Sequence, residues 1–258
     1  MDARVMDRLT DAEQWELMIP NMGIMALIRN LRGFDEAGVS DEVAEQVIAK
    51  ITDPEVIAKS RMFPMRFLSA YKAAPSLRWA PALEKAVNLS LVNVPRLSGS
   101  TLILWDCSGS MFYDTVSGGS KLTRAEAAGV FCAALALRAE NATLIQYGTS
   151  HRELAVPKAG ALLRLATDVK SMGGTATWQT VRATYRNHDR VVIVTDEQAH
   201  DSGYVAENIP LYTWNLAGYR AGHIGSGKNR WSFGGLTDSA FQQIPVIEAG
   251  ATGSWPWS

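Results

Sequence analysis

The chain has 258 residues, of which 47% are hydrophobic, enough apolar material for one large or two modest cores. Its 25 Lys and Arg are balanced by 26 Asp and Glu, so bulk charge selects no class of partner, and any electrostatic recognition must come from a local patch. No apolar run is long enough to cross a bilayer, the polar and acidic start MDARVMDRLTDAEQWEL does not read as a signal peptide, and two cysteines, Cys107 and Cys132, make no disulfide framework or zinc cluster. A cytoplasmic protein with reduced, buried thiols is expected.

Roughly the first 95 residues read as short amphipathic helices in succession, as in a helical stack. TDAE at 10–13 is a capping box ahead of Trp15, Leu17, Met18 and Ile19, and Pro20 ends that helix. Asn21 is placed to cap the next, whose Ile24, Leu27, Ile28 and Leu31 recur at helical spacing and which Gly33 is expected to stop. Ser40 caps DEVAEQVIAKI, Asp53-Pro54 is an N-cap with a first-turn proline, Pro64 opens PMRFLSAYKAA, and APALEKAVNLSLV closes the run before Pro95.

From residue 99 the pattern changes to apolar strands alternating with helices. STLILWD, NATLIQYG, DRVVIVTD and IPLYTWNLAG read as strands, with HRELAV pairing beside the second. Helices are expected in KLTRAEAAGVFCAALALRAE, PKAGALLRLATDV and TWQTVRATYRN. The stretch from Ala221 onward reads as loop, a short edge element and a C-terminal extension. The alternation predicts an α/β fold, a doubly wound and mostly parallel sheet covered on both faces, with ligands at the carboxyl ends of its strands. The expected domains are a helical segment at 1–98 and the α/β domain at 99–258.

Several oxygens fall at those strand ends. Asp106, Ser108 and Ser110 follow the first strand, Asp196 follows RVVIVT, and Thr175 follows two glycines in a loop before a helix. Each alone is an ordinary cap or turn residue. Together they form a hard-oxygen set suited to Mg²⁺, with Mn²⁺ or Ca²⁺ as alternatives, rather than to zinc. Two carboxylates offset a divalent charge, and Gly173 and Gly174 let the loop approach without Cβ clashes.

DCSGSM, GGTAT and VTDE, in this order and on these elements, resemble the metal-ion-dependent adhesion site of a von Willebrand factor A domain. The resemblance covers about residues 99–245, and in that family a water or an acidic group of a ligand completes the shell. In the helical half, WELMIPNMGIMALIRNLRGF, RMFPMRFLSAYKAA and PALEKAVNLSLVNVP, leading into the DxSxS strand, are similar to the Ro autoantigen (TROVE) family. There a ring of helical repeats joined to an A-like domain binds small noncoding RNAs and the single-stranded ends of misfolded RNAs. Here the helical part is shorter than that ring, and Phe63 stands where the family often has histidine before the proline. Several copies would be needed to build a ring, so a homo-oligomer is expected.

Charge within the helical part is segregated. The first 49 residues carry ten acids and four bases, whereas residues 50–96 carry eight bases and three acids. Lys59, Arg61, Arg66, Lys72 and Arg78, interleaved with Phe67, Tyr71 and Trp79, offer the cations and flat faces that RNA binding uses. Phe67 and Tyr71, at i and i+4, read equally as core. No GxSxG elbow is present, the four histidines are scattered, and GSGK at 225–228 lacks full P-loop spacing. A hydroxyl-rich shell with one open position reads as a binding site, so a non-enzyme is expected. Its partner is RNA, or alternatively a protein whose acidic group is captured by the metal.

Overall fold

The structure is a computed structural model, and it describes residues 9–74, 76–116, 122–157, 162–198, 201–217 and 227–251. The chain divides into two compact units between Asn93 and Val94. Among the described residues no helix is long and apolar enough to cross a membrane.

The first unit is helical. Helix α1 (Asp11–Met18) starts at the expected capping box, with Thr10 and Glu13 bonded reciprocally, and runs into a 3₁₀ turn at Ile19–Asn21. Helix α2 (Ile24–Ala37) departs from expectation at both ends. Asn21 is used up in the 3₁₀ turn, so Gly23 is the N-cap. At the other end the helix passes through Gly33 and stops at Gly38, whose φ of 74° is the left-handed cap. The stripe Leu27, Leu31, Phe34 explains the extension, because Phe34 continues the buried face and packs against Trp15 at 5.0 Å. Helix α3 (Asp41–Ile51) is capped by Ser40, and α4 (Pro54–Ser60) by Asp53, which accepts from Glu55 N at 2.8 Å and Val56 N at 3.1 Å. Helices α5 (Pro64–Ala73) and α6 (Ala80–Leu89) pack together, and a 3₁₀ turn at Ser90–Asn93 closes the unit. Trp79 is fully buried and donates its indole N–H to Asp35 at 2.9 Å.

The second unit is built on one six-stranded sheet. Its strands are β1 (Leu97–Asp106), β2 (Ala139–Tyr147), β3 (His151–Leu154), β4 (Arg190–Thr195), β5 (Leu211–Asn215) and β6 (Arg230–Gly234). The spatial order is β3-β2-β1-β4-β5-β6, with only β3 antiparallel. Every residue of β4 and β5 is buried, as continuous apolar runs in a parallel sheet require.

Short helix α7 (Ser110–Tyr113) follows β1, and α8 (Arg124–Arg138) starts at a capping box between Thr123 and Glu126. Helices α9 (Leu162–Thr167) and α10 (Thr177–Thr184) follow as expected, although residues 158–161 lie outside the described residues. Leu102, Leu104, Ile145, Val191 and Ile193 form a core with Trp178 and Val181 of α10. On α8, Phe131 meets Trp214 of β5 at 4.8 Å. Gly129 of α8 is required by closeness: an added Cβ would lie 2.4 Å from the Trp105 ring and 2.7 Å from Ala166 O. Gly129→Ala is therefore expected to cost about 2–3 kcal/mol by overpacking, read as a lower urea midpoint at unchanged slope.

The C-terminal stretch contains more order than its sequence suggests. Besides the edge strand β6, a helix α11 (Ala240–Ala251) forms through Pro245. Proline normally ends a helical pattern, and this one also lacks a clean apolar stripe. What holds it is tertiary: Phe241 packs on Phe131 at 4.7 Å, and Glu248 receives the buried Arg190 guanidinium at 2.6 and 3.0 Å. Gly225 and Ser226 of the GSGK run lie outside the described residues.

Candidate functional site

Strand order reverses at β1, which has β2 on one side and β4 on the other. The crevice beyond the carboxyl ends of two such strands is where open α/β sheets bind ligands. Asp106 is the last residue of β1, and Asp196 directly follows β4. Parallel pairing of Trp105 with Val194 brings the next residue pair, Asp106 and Thr195, side by side.

Both carboxylates are fully buried. Asp106 Oδ2 accepts from the Thr195 hydroxyl at 2.6 Å, and Oδ1 accepts from Ser108 N at 2.8 Å. Burial nevertheless pushes the Asp106 carboxyl up from 3.8 to about 6, against those hydrogen bonds and with the help of nearby Asp196. Asp196 Oδ1 accepts from Gln198 N at 3.3 Å, while its buried Oδ2 has no hydrogen-bond partner. An orphaned buried carboxylate oxygen is costly and marks a place where a cation fits.

The hydroxyls arrive by two routes. Ser108 is buried and its Oγ lies 3.3 Å from that of Ser110, since both project from the tight turn into α7. Thr175 is carried by the 172–176 loop, which is stitched to the ends of β1 and β2. Gly109 N donates to Gly173 O at 2.7 Å, Met172 N to Cys107 O at 2.8 Å, Thr149 N to Met172 O at 2.8 Å, and Ala176 N to Gly148 O at 2.9 Å. Gly173 has φ of 84°, and a Cβ there would meet Thr149 Oγ1 at 2.7 Å, so the glycine is what lets the loop close in. The structure thus places Asp106, Ser108, Ser110, Thr175 and Asp196 beyond the carboxyl ends of the central strands β1 and β4. Among the described residues no three His, Cys, Asp or Glu side chains cluster as a metal site, so a cation held here relies on hydroxyl oxygens as well as the two carboxylates. The donor set fits a hard divalent ion.

Sequence reading missed Thr195, which lies within the quoted VTDE and orients Asp106. Glu197, which follows Asp196 in the same VTDE, has φ of 64°, a left-handed conformation beside the site. Burial, and next the Asp106 charge, raise the phenol of Tyr147 well above its ordinary value, and its hydroxyl accepts from Thr177 at 3.3 Å behind the carboxylates. Cys107 and Cys132 are buried thiols whose burial pushes their ionisation up, which leaves them unreactive.

In the helical unit the five cations named above separate into two kinds. Lys59, Arg61 and Arg66 are exposed and Lys72 is half-exposed, on α4, its C-terminal cap and α5. The Lys59 pair with Glu55 at 3.1 Å is a surface contact of small value. Arg78 instead works inside the fold: its guanidinium bonds Val39 O at 2.9 Å and Asp41 at 2.8 Å and lies 5.2 Å from the Trp79 ring centre. Of the interleaved aromatics, Phe67 and Trp79 are core residues, and only Tyr71 is exposed.

Residues 2–78 match the TROVE domain. The chain is 28% identical over 210 residues to the RNA-binding protein RO60 of Deinococcus radiodurans, covering 72% of this chain and 39% of that protein. It is 30% identical over 112 residues to the RNA-binding protein RO60 of Caenorhabditis elegans, covering 38% of this chain and 17% of that one. The crystal structure of the Deinococcus radiodurans RO (RSR) protein superposes with a TM-score of 0.73 at 22% identity, over 94% of this chain and 55% of that chain. The α/β unit and the helices before it therefore share that fold, in a chain that spans 39% of the Deinococcus protein's curated length.

Proposed function

We propose that the chain is a member of the Ro (TROVE) family and that it binds RNA through its helical unit. The observation that carries this reading is the TROVE match over residues 2–78, the segment in which Lys59, Arg61, Arg66 and Lys72 reach solvent on adjoining helices. Cations meeting phosphates supply most of the affinity for nucleic acid, and an exposed Tyr71 adds a stacking face. A small noncoding RNA with a single-stranded end is the substrate class that the family resemblance supports. Arg78 is left out of the contact set because its charge is engaged within the fold.

The A-like unit is proposed to hold a divalent cation, Mg²⁺ first, between Asp106 and Asp196, with Ser108, Ser110 and Thr175 completing the shell. The orphaned Asp196 oxygen supports it. The cation would supply an open coordination position for an acidic group of a partner, which makes this unit a binding module beside the RNA-binding helices rather than a centre for chemistry.

The test is titration of a fluorescent RNA hairpin with a single-stranded tail across a salt series, in Mg²⁺ and in EDTA. Wild type is expected to bind with a steep log–log salt slope. Replacing Lys59, Arg61, Arg66 and Lys72 together by Ala should flatten that slope by roughly 3 and weaken low-salt binding about 100-fold or more. Unchanged affinity in the quadruple variant would remove this face from RNA recognition, and no binding by wild type at low salt would remove the RNA reading.

A further inference from the structure

The helical unit presents opposite charge on different helices, and its acidic side carries the exposed leucines Leu17 and Leu77. We propose that the acidic face around the start of α3 docks onto the basic face of α5 in a second copy of this chain.

Residues 9–49 hold eight acids and two bases, whereas 50–93 hold seven bases and three acids. On α3, Asp41, Glu42 and Glu45 are exposed at helical spacing. The Glu16 carboxylate accepts from Ser40 N at 2.9 Å, which lays the last turn of α1 against that end of α3. Leu17 beside it is 47% exposed. The turn before α6 reaches the same place, since Arg78 bonds Val39 O and Asp41, and its neighbour Leu77 is 89% exposed. Exposed leucines rimmed by carboxylates form an interaction surface, and one whose charge repels RNA.

On α5, Arg66, Ser69 and Lys72 share the outward face with Met65 and Ala73, and every charge on it is positive. The faces differ in sign and in position, so the contact is heterologous, head to tail, and each copy offers one of each. Opposed charges set orientation while the apolar side chains supply burial. Since α5 also belongs to the proposed RNA face, RNA and the second copy compete for it.

Light scattering coupled to size exclusion on the full chain at about 50 μM tests this. Wild type is expected above monomer mass in low salt and at monomer mass in high salt, where exposed charge pairs are screened. E42K/E45K carries two basic faces and R66E/K72E two acidic faces, so each alone should be monomeric, and an equimolar mixture should regain the higher mass. The mixture also guards against misfolding, because a collapsed variant would not re-associate. A monomeric wild type in low salt overturns the proposal, as does a mixture that stays monomeric. RNA titration of E42Q/E45Q separates this inference from the RNA reading: loss of self-association with RNA affinity retained supports the copy contact independently of RNA.

Discussion

Asp106→Asn is expected to make the protein more stable in EDTA and to abolish its response to divalent cations. The carboxyl is buried and its ionisation is pushed up to about 6, from 3.8 for an ordinary aspartate. An acid whose folded value lies above its unfolded one binds more protons in the native state between those two values. Stability is therefore full below about pH 4, falls as pH rises through 4 to 6, and stays reduced at pH 7, by roughly 3 kcal/mol. Asparagine removes the charge that burial penalises. The hydrogen bond from Ser108 N to Oδ1 can persist, and the Thr195 hydroxyl, which donates to Asp106 Oδ2, would reverse its role and accept from the new amide.

In calorimetry, the variant in EDTA should melt higher than wild type at pH 7 and should lose the decline between pH 4 and 6. Mg²⁺ or Mn²⁺ should raise the melting temperature of wild type only, because a ligand that binds the native state alone stabilises it in proportion to occupancy. A variant less stable than wild type in EDTA would show that the Asp106 charge is satisfied without a cation. A variant still stabilised by metal would remove Asp106 from the centre.

The second large effect is expected at the other end of the sheet. Arg190 is buried at the start of β4, and its guanidinium meets Glu248 at 2.6 and 3.0 Å, Ser98 O at 2.6 Å and the Thr101 hydroxyl at 2.9 Å. Tyr212 adds its hydroxyl to Glu248 at 3.3 Å. Glu248→Ala leaves the cation buried without its counter-charge, at a cost of about 3 kcal/mol and a melting temperature lower by roughly 6–12 °C. Replacing both partners, as R190M/E248L, should recover most of that loss, since an apolar pair of similar volume carries no desolvation penalty. A loss below about 0.5 kcal/mol in E248A would mean that solvent screens the pair and that α11 is held by its apolar contacts alone.

The sequence by itself determined what local physics controls. Caps at Thr10, Ser40 and Asp53 are satisfied within three residues of themselves, so their helices start where the pattern says. The apolar runs of β1, β4 and β5 are buried on both faces, which is legible because a parallel sheet leaves no polar side. The placement of the five residues of the candidate metal centre after strands or a glycine pair was legible too, because the ends of those elements are marked in the chain.

Tertiary structure decided the rest. It carried α2 through Gly33, because burying Phe34 against Trp15 outweighs the weak propensity of one glycine. It formed α11 across Pro245, because Phe131 and Arg190, distant in sequence, wait for Phe241 and Glu248. It turned Arg78, Phe67 and Trp79 from surface candidates into parts of the fold, and it placed Thr195 against Asp106. These outcomes depend on which side chains meet across long loops, and composition and periodicity, which report only one chain segment at a time, carry no record of that.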